Sequence, residues 1–316
     1  MTFTTHDPEI NVERLFPFLR GRGLPTLRLH PRRQQNLPPN ISKFGGEIIW
    51  SRDEPFPEDP YSEMKAVPVL QLRQEDVPNM AFMPETNLMQ LLWIPQSSDS
   101  TGYDPKLEVF WRKLEAEVNT SLLKPDYHEN EDMYRVAECV IHPENVIEYP
   151  YIDELSRVEQ QAIRDWEATI SPPLTLDSVP EPVYQYQLST CPGSKIGGYP
   201  QWSGQNSDIP TNAQGQPLEY LLTIADNEWG GYAERRWRPI EQIAPPDGRM
   251  VFTENSDGRV TQSQVFTEAE ELENSSWDLQ KYNQYSNDCN ALSTYLKHGM
   301  NVFLDRSVNP WRVVWT

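Results

Sequence analysis

Apolar residues recur along this chain with two different periods, and each period predicts a different kind of element. Alternation over Thr26-Leu-Arg-Leu-His30 predicts a strand, and the apolar runs at 67–72 and 88–94 predict two more, joined through a turn-rich loop. Residues 133–149 read as extended. Further strands are expected at 184–188, 219–224, 249–253, 260–266, 301–304 and 311–315. Helical spacing is found elsewhere. Asp104-Pro105 opens a predicted helix with Leu107, Phe110, Trp111, Leu114 and Val118 on one face. A second helix over 153–169 would bury Leu155, Val158, Ala162 and Trp166, and Pro172-Pro173 comes just beyond it. Shorter helices are expected at 7–23, capped by Asp7, after the capping-box pair Thr267 and Glu270, and at 287–298. The pattern predicts an α+β fold, rich in strands with peripheral helices. The connector at 171–182, with four prolines in twelve residues, divides it into a first half (1–170) and a second (183–316) packed as one compact domain.

The two halves share a motif. Ser42-Lys-Phe-Gly-Gly-Glu-Ile-Ile-Trp50 matches Ser194-Lys-Ile-Gly-Gly-Tyr-Pro-Gln-Trp202 at an offset of 152. The same offset carries Val69-Leu-Gln-Leu72 onto Leu221-Leu-Thr-Ile224 without a gap. Two blocks agreeing in register predict an internal duplication. Each half then holds a loop with Lys-x-Gly-Gly (Lys43, Gly45, Gly46; Lys195, Gly197, Gly198), a tryptophan four residues later (Trp50, Trp202) and an apolar strand. Paired glycines reach positive φ without strain and allow another segment to approach closely. A buried tryptophan there would staple the loop to the sheet and need a partner for its indole N–H. The lysines read either as cationic anchors for a ligand or as side chains of two structural turns, solvated or covering apolar surface with their stems.

Composition changes this picture in one respect. The formal charge is −20, from 27 basic against 47 acidic side chains, and the first fifty residues are on balance basic. So acidic a surface repels nucleic acid and anionic lipid and speeds encounter with a basic protein, although acidity also serves solubility alone. No apolar stretch approaches the roughly 20 residues that span a bilayer, and the first residues carry no secretory pattern. Three scattered cysteines (Cys139, Cys191, Cys289) suit reduced thiols, and the expectation is a cytoplasmic protein.

Catalytic chemistry finds little purchase. The five histidines form no HxxxH or HExxH pair, so no metal site is expected. The acidic loop around His128 lacks the glycine and ligand spacing of a calcium hand. Ser203 lies in a polar loop outside any GxSxG, and Cys139 and His142, three apart in an extended segment, would face opposite ways. Neither a cofactor nor enzymatic activity is expected. Interface candidates are clearer. Glu268, Glu270, Glu271, Glu273 and Asp278 interleave with Leu272 and Trp277, offering an apolar anchor in an acidic rim or simply a solvated helix face. Asp226, Glu228 and Trp229 form a second candidate.

The segments Thr26–His30, Ser42-Lys-Phe-Gly-Gly, Ser194-Lys-Ile-Gly-Gly-Tyr-Pro-Gln-Trp202 and Leu221–Ile224 resemble the YwqG-like family, a bacterial domain of unknown function. Pro200 keeps the family's Gly-Gly-x-Pro pattern, whereas Ile48 replaces that proline in the first motif. The family's acidic glycine-rich stretch is partly kept in Asp226-Asn-Glu-Trp-Gly-Gly-Tyr232. The resemblance implies a duplicated β-rich fold. It also implies an immunity protein that binds and blocks a cognate polymorphic or type VI secretion toxin, with a basic nuclease as one candidate partner. The alternative is a small-molecule-binding protein or enzyme that uses the two Lys-x-Gly-Gly loops.

Overall fold

Short extended segments dominate the chain because its apolar runs are brief and separated by proline-bearing turns. The structure, a computed structural model, describes residues 11–34, 36–51, 54–59, 65–94, 106–114, 120–123, 136, 138–169, 175–176, 179–180, 182–190, 193–202, 209–225, 249–254, 260–265 and 300–315. One helical turn, α1 (Val12–Leu15), is capped by Asn11, which accepts from the Arg14 amide at 2.9 Å. Strands β1 (Leu24–Arg28), β2 (Arg32–Arg33), β3 (Lys43–Phe44), β4 (Ile48–Ser51), β5 (Val67–Arg73) and β6 (Leu88–Ile94) follow. After them come β7 (Lys106–Arg112), β8 (Thr120–Leu123), β9 (Cys139–Val140) and β10 (Glu144–Glu148). Helix α2 (Arg157–Glu167) precedes β11 (Thr175–Leu176), β12 (Val179–Pro180), β13 (Lys195–Gly197) and β14 (Glu219–Ile224). The remaining described strands are β15 (Arg249–Glu254), β16 (Val260–Val265), β17 (Met300–Asp305) and β18 (Arg312–Trp315).

Among the described residues the protein is β-rich, with two six-stranded antiparallel sheets and few helices. Sheet I runs β2-β9-β3-β5-β6-β7 and sheet II runs β10-β1-β13-β14-β17-β18. The pairs β4–β8, β11–β12 and β15–β16 stand apart. The chain crosses between the two large sheets twice. It leaves β1 in sheet II for β2 in sheet I, and β9 in sheet I for β10 in sheet II. The crossings are tied together: the Leu29 amide donates to the Ser194 carbonyl at 2.9 Å, and the His142 amide donates to the Leu29 carbonyl at 2.7 Å. His30, buried at the first crossing, takes a φ of +42°, and its Nε2 lies 2.8 Å from Glu144 Oε2. Residues 24–28 and 144–148 therefore complete the sheet that carries β13, β14, β17 and β18, so the proline-rich connector does not divide one sheet from the other.

One apolar core draws on both sheets. Phe44, Leu70, Leu72, Met89, Leu91 and Trp93 come from sheet I, and Leu27, Ile196, Leu222, Ile224, Met300 and Val302 from sheet II. A second cluster packs Ile163 and Trp166 of α2 against Phe16, Leu19 and Tyr184, with Phe16 edge-on to Trp166 at 5.2 Å.

Three expected elements differ. The helix expected from Asp104 is strand β7, whose Val109 and Trp111 pair with Leu91 and Met89. Trp111 packs against the shared core while Phe110 packs on the opposite face with Trp50, so adjacent aromatics buried on both faces imitated a helical stripe. Residues Tyr184–Leu188 form a π-helical turn in place of a strand, because Val183, Tyr184 and Leu188 all bury into the α2 cluster. The second helix begins later than expected, capped reciprocally by Ser156 and Glu159. It buries Ile163 and Trp166 and leaves Ala162 exposed and Val158 80% exposed. The first helical segment shortens to α1 and a 3-10 turn at Pro17–Leu19. Asp7 and the helices expected after Thr267 and over 287–298 lie outside the described residues.

Candidate functional site

The two Lys-x-Gly-Gly motifs occupy equivalent places in the two sheets. In sheet I Lys43 lies opposite Gln71 and Phe44 opposite Leu70; in sheet II Lys195 lies opposite Thr223 and Ile196 opposite Leu222. The offset of 152 seen in the sequence is thus also the offset of the ladder. The register irregularity after Pro68 recurs after Tyr220, and the preceding serines act alike. Ser42 Oγ accepts from the Arg73 amide at 2.8 Å, and Ser194 Oγ accepts from the Ala225 amide at 3.1 Å. All four motif glycines have positive φ: +54° and +70° at Gly45 and Gly46, +70° and +73° at Gly197 and Gly198.

Those bends bring the backbone onto a carboxylate. A Cβ at Gly46 would stand 2.5 Å from Glu138 Oε1, and one at Gly198 would stand 2.3 Å from Glu148 Oε2 and 2.0 Å from Thr26 Oγ1. The same carboxylates hold the lysines. Lys43 Nζ is 3.0 Å from Glu138 Oε1; Lys195 Nζ is 2.7 and 2.9 Å from the two oxygens of Glu148. Neither lysine is solvated and neither merely covers apolar surface, since both side chains are 0% exposed. Each is the cationic half of an internal pair. A ligand anchored on the Lys195 ammonium would first have to displace a fully buried carboxylate, at a cost of several kcal/mol, about 3–5 in comparable sites.

Beyond each lysine the row continues with amides and hydroxyls that grip the returning loop. Gln90 Nε2 donates to the Ile49 carbonyl at 2.7 Å and to Gln71 Oε1 at 2.9 Å. Asn301 Nδ2 donates to the Gln201 carbonyl at 2.9 Å, and its Oδ1 accepts from the Gln201 amide at 3.1 Å and from Thr223 Oγ1 at 2.7 Å. Residues 49 and 201 again differ by the motif offset. These clamps, with Glu138 and Glu148, are the partners that reading the motif alone missed. Their signal was present: Gln90 is the one polar residue in Leu-Met-Gln-Leu-Leu-Trp-Ile, and Asn301 stands alone in Met-Asn-Val-Phe-Leu.

The held loops place Trp50 and Trp202 over the outer faces of the sheets. Trp50 packs with Ile48, Leu92 and Ile94, and its Nε1 donates to the Glu54 carbonyl at 3.0 Å. The Arg112 guanidinium lies 4.2 Å over its ring and bonds both oxygens of Glu54. Trp202 stacks on Phe303 at 6.2 Å, near a buried Pro200, and its Nε1 reaches Glu154 Oε1 at 3.4 Å. Glu154 is half-buried. Burial pushes its carboxyl above the usual range, opposed by the bonds from Trp202 and the Tyr151 amide. Burial also raises the neighbouring Tyr199 hydroxyl, which donates to the Arg22 carbonyl at 2.7 Å.

Cys139 is buried in the core, paired across from Phe44. Among the described residues no group of three His, Cys, Asp or Glu is arranged to hold a metal ion, and no helix is long and apolar enough to cross a membrane. The interface candidates Asp226, Glu228, Trp229, Glu268, Glu270, Glu271, Glu273, Trp277 and Asp278 lie outside the described residues, as do His128 and Ser203.

A family model described as a domain of unknown function (DUF1963) matches residues 42–237, a span that opens at Ser42 and takes in both Gly-Gly bends. No curated protein matches the chain.

Proposed function

The chain belongs to the DUF1963 family, a domain of unknown function, and on that premise we propose that it is a non-catalytic binding protein for a basic macromolecular partner. The observation that carries this reading is the commitment of Lys43 and Lys195 to Glu138 and Glu148. Two of the chain's 27 basic side chains are thereby neutralised inside, and a formal charge of −20 is left to be presented elsewhere. Such a surface attracts a cationic partner and speeds its encounter.

The finer reading is a YwqG-like immunity protein. It would occlude the active site or substrate entry of a cognate effector toxin, by bulk and by charge, without turnover. An acidic occluder suits a nuclease, because it meets the surface that otherwise receives phosphate. The matched registers, bulges and serine caps support descent of the two motifs from one duplicated unit. The motif itself serves as scaffold in this reading, and its glycines and lysines set the shape of the platform.

Co-expression with the product of the neighbouring gene tests the proposal. A stable complex that rescues cells from that product is the expected result; absence of both complex and rescue would remove the immunity reading.

A further inference from the structure

We propose that the loop of residues 209–217 is the part of this chain that enters a cleft of the partner, an inference that rests on the reading of the chain as a binder of a basic protein. The loop leads into β14 and is presented to solvent: Ile209 is 43% exposed, and Thr211 and residues 213–217 are exposed as well. Exposure over so long a run ordinarily goes with conformational freedom. Here the loop holds itself in shape.

Asn212 is the brace. Its Oδ1 accepts from the amides of Gln214 and Gln216 at 3.0 and 2.9 Å, and its Nδ2 donates to Gln216 Oε1 at 3.1 Å. The backbone closes around that side chain. The Asn212 amide donates to the Gln216 carbonyl at 2.9 Å, the Gly215 amide to the Asn212 carbonyl at 2.9 Å, and the Leu218 amide to the Pro210 carbonyl at 2.8 Å. Gly215 takes the left-handed turn position, with φ +75°. At the base of the loop, Leu218 and Tyr220 pack with Trp202 and Phe303, which fixes it to sheet II. A loop ordered before the encounter loses little further freedom on binding.

The duplication supplies a counterpart, the loop before β5. There the Ala66 amide donates to the Pro57 carbonyl at 2.8 Å, and Ala66 and Leu218 differ by the motif offset. One isolated bridge closes each loop, Glu58 with Lys65 in the first and Thr211 with Pro217 in the second. The bridge of the first loop is charged at both ends. The second carries no charged residue from Ile209 to Leu218, in a chain of net charge −20. A neutral segment suits the centre of an interface, where charge is costly to desolvate, while the acidic remainder draws the cationic partner in. Thr211, Gln214 and Gln216 offer hydroxyl and amide groups beside the apolar Ile209 and Ala213, which fits a concave surface lined by hydrogen-bonding groups.

The test measures binding of the full chain to the product of the neighbouring gene. Gln214→Glu and Gln214→Arg place opposite charges on the exposed tip and leave the brace in place. If the tip is buried by the partner, both should bind about tenfold or more weakly, through faster dissociation. Val158→Arg, at an 80% exposed position on α2, should change affinity by about twofold at most. Asn212→Ala keeps the tip but frees the loop, and should weaken binding about three- to tenfold with the melting temperature nearly unchanged. Affinity unchanged by both Gln214 variants, or raised by Gln214→Glu, would overturn the loop contact while leaving the wider reading intact. Absence of a complex with the unaltered chain would overturn both.

Discussion

Lys195 and Glu148 form a closed pair: neither side chain is exposed, and the ammonium reaches both carboxylate oxygens, at 2.7 and 2.9 Å. Its counterpart is more open. Lys43 uses one oxygen of Glu138, and that glutamate is 18% exposed.

The difference predicts unequal costs for equivalent substitutions. Lys195→Met removes the ammonium from a fully buried carboxylate, which keeps the Tyr199 amide at 3.0 Å, and should lower unfolding free energy by about 3–5 kcal/mol. Lys43→Met leaves Glu138 able to turn toward water and should cost less, on the order of 1–3 kcal/mol. Urea unfolding of the two variants measures both; equal losses, or a larger loss at Lys43, would contradict the asymmetry.

The glycines separate backbone strain from crowding. Gly198 and Gly215 share nearly the same φ, +73° and +75°, but a Cβ at Gly215 meets nothing within 4 Å. Gly215→Ala should therefore cost only the left-handed conformation, about 1 kcal/mol. Gly198→Ala also collides with Thr26 and Glu148 and should cost at least about 2 kcal/mol more. Gly46→Ala falls between, because the Glu138 side chain it meets can swing outward. Thermal denaturation of the three variants gives the order directly.

The amide clamp is open to a similar test. Asn301→Leu removes the donor to the Gln201 carbonyl and the acceptor for its amide. Loss of about 1–3 kcal/mol is expected, from two part-buried backbone groups that lose their partner. Exchange of the Gln201 amide with deuterium should accelerate as well, while amides of sheet I stay protected.

Glu154 sets a pH dependence whose sign follows from its burial. Its carboxyl titrates higher in the folded protein than in the unfolded chain, so the folded state holds the extra proton between the two midpoints. Its contribution to stability is greatest below the unfolded midpoint and is lost as pH rises through the folded one. Glu154→Gln removes that dependence. The variant should gain stability relative to wild type as pH climbs from 4 toward 7, which urea titrations across that range would detect.

Much of this was legible in the sequence, and the gaps have physical causes. The offset of 152 announced the shared ladder because lysine, paired glycines and an apolar strand recur only where the same backbone bend is needed. Strands β6 and β14 were readable from uninterrupted apolar runs. Strand β7 was not, since Phe110 and Trp111 bury on opposite faces and a helix buries adjacent residues equally well. The partners of the lysines were hidden for another reason: Glu138 and Glu148 lie 95 and 47 residues away in sequence, one just before β9 and the other at the end of β10. Pairing over such distances is a property of the crossed sheets, which local periodicity does not encode.

The most direct test of the proposal is the association rate of this chain with the product of the neighbouring gene, measured from low to high salt. An acidic binder meeting a cationic surface should associate fast at low salt and slow at least tenfold as screening rises, while dissociation changes little. A rate indifferent to salt, or the absence of any complex, would contradict the account.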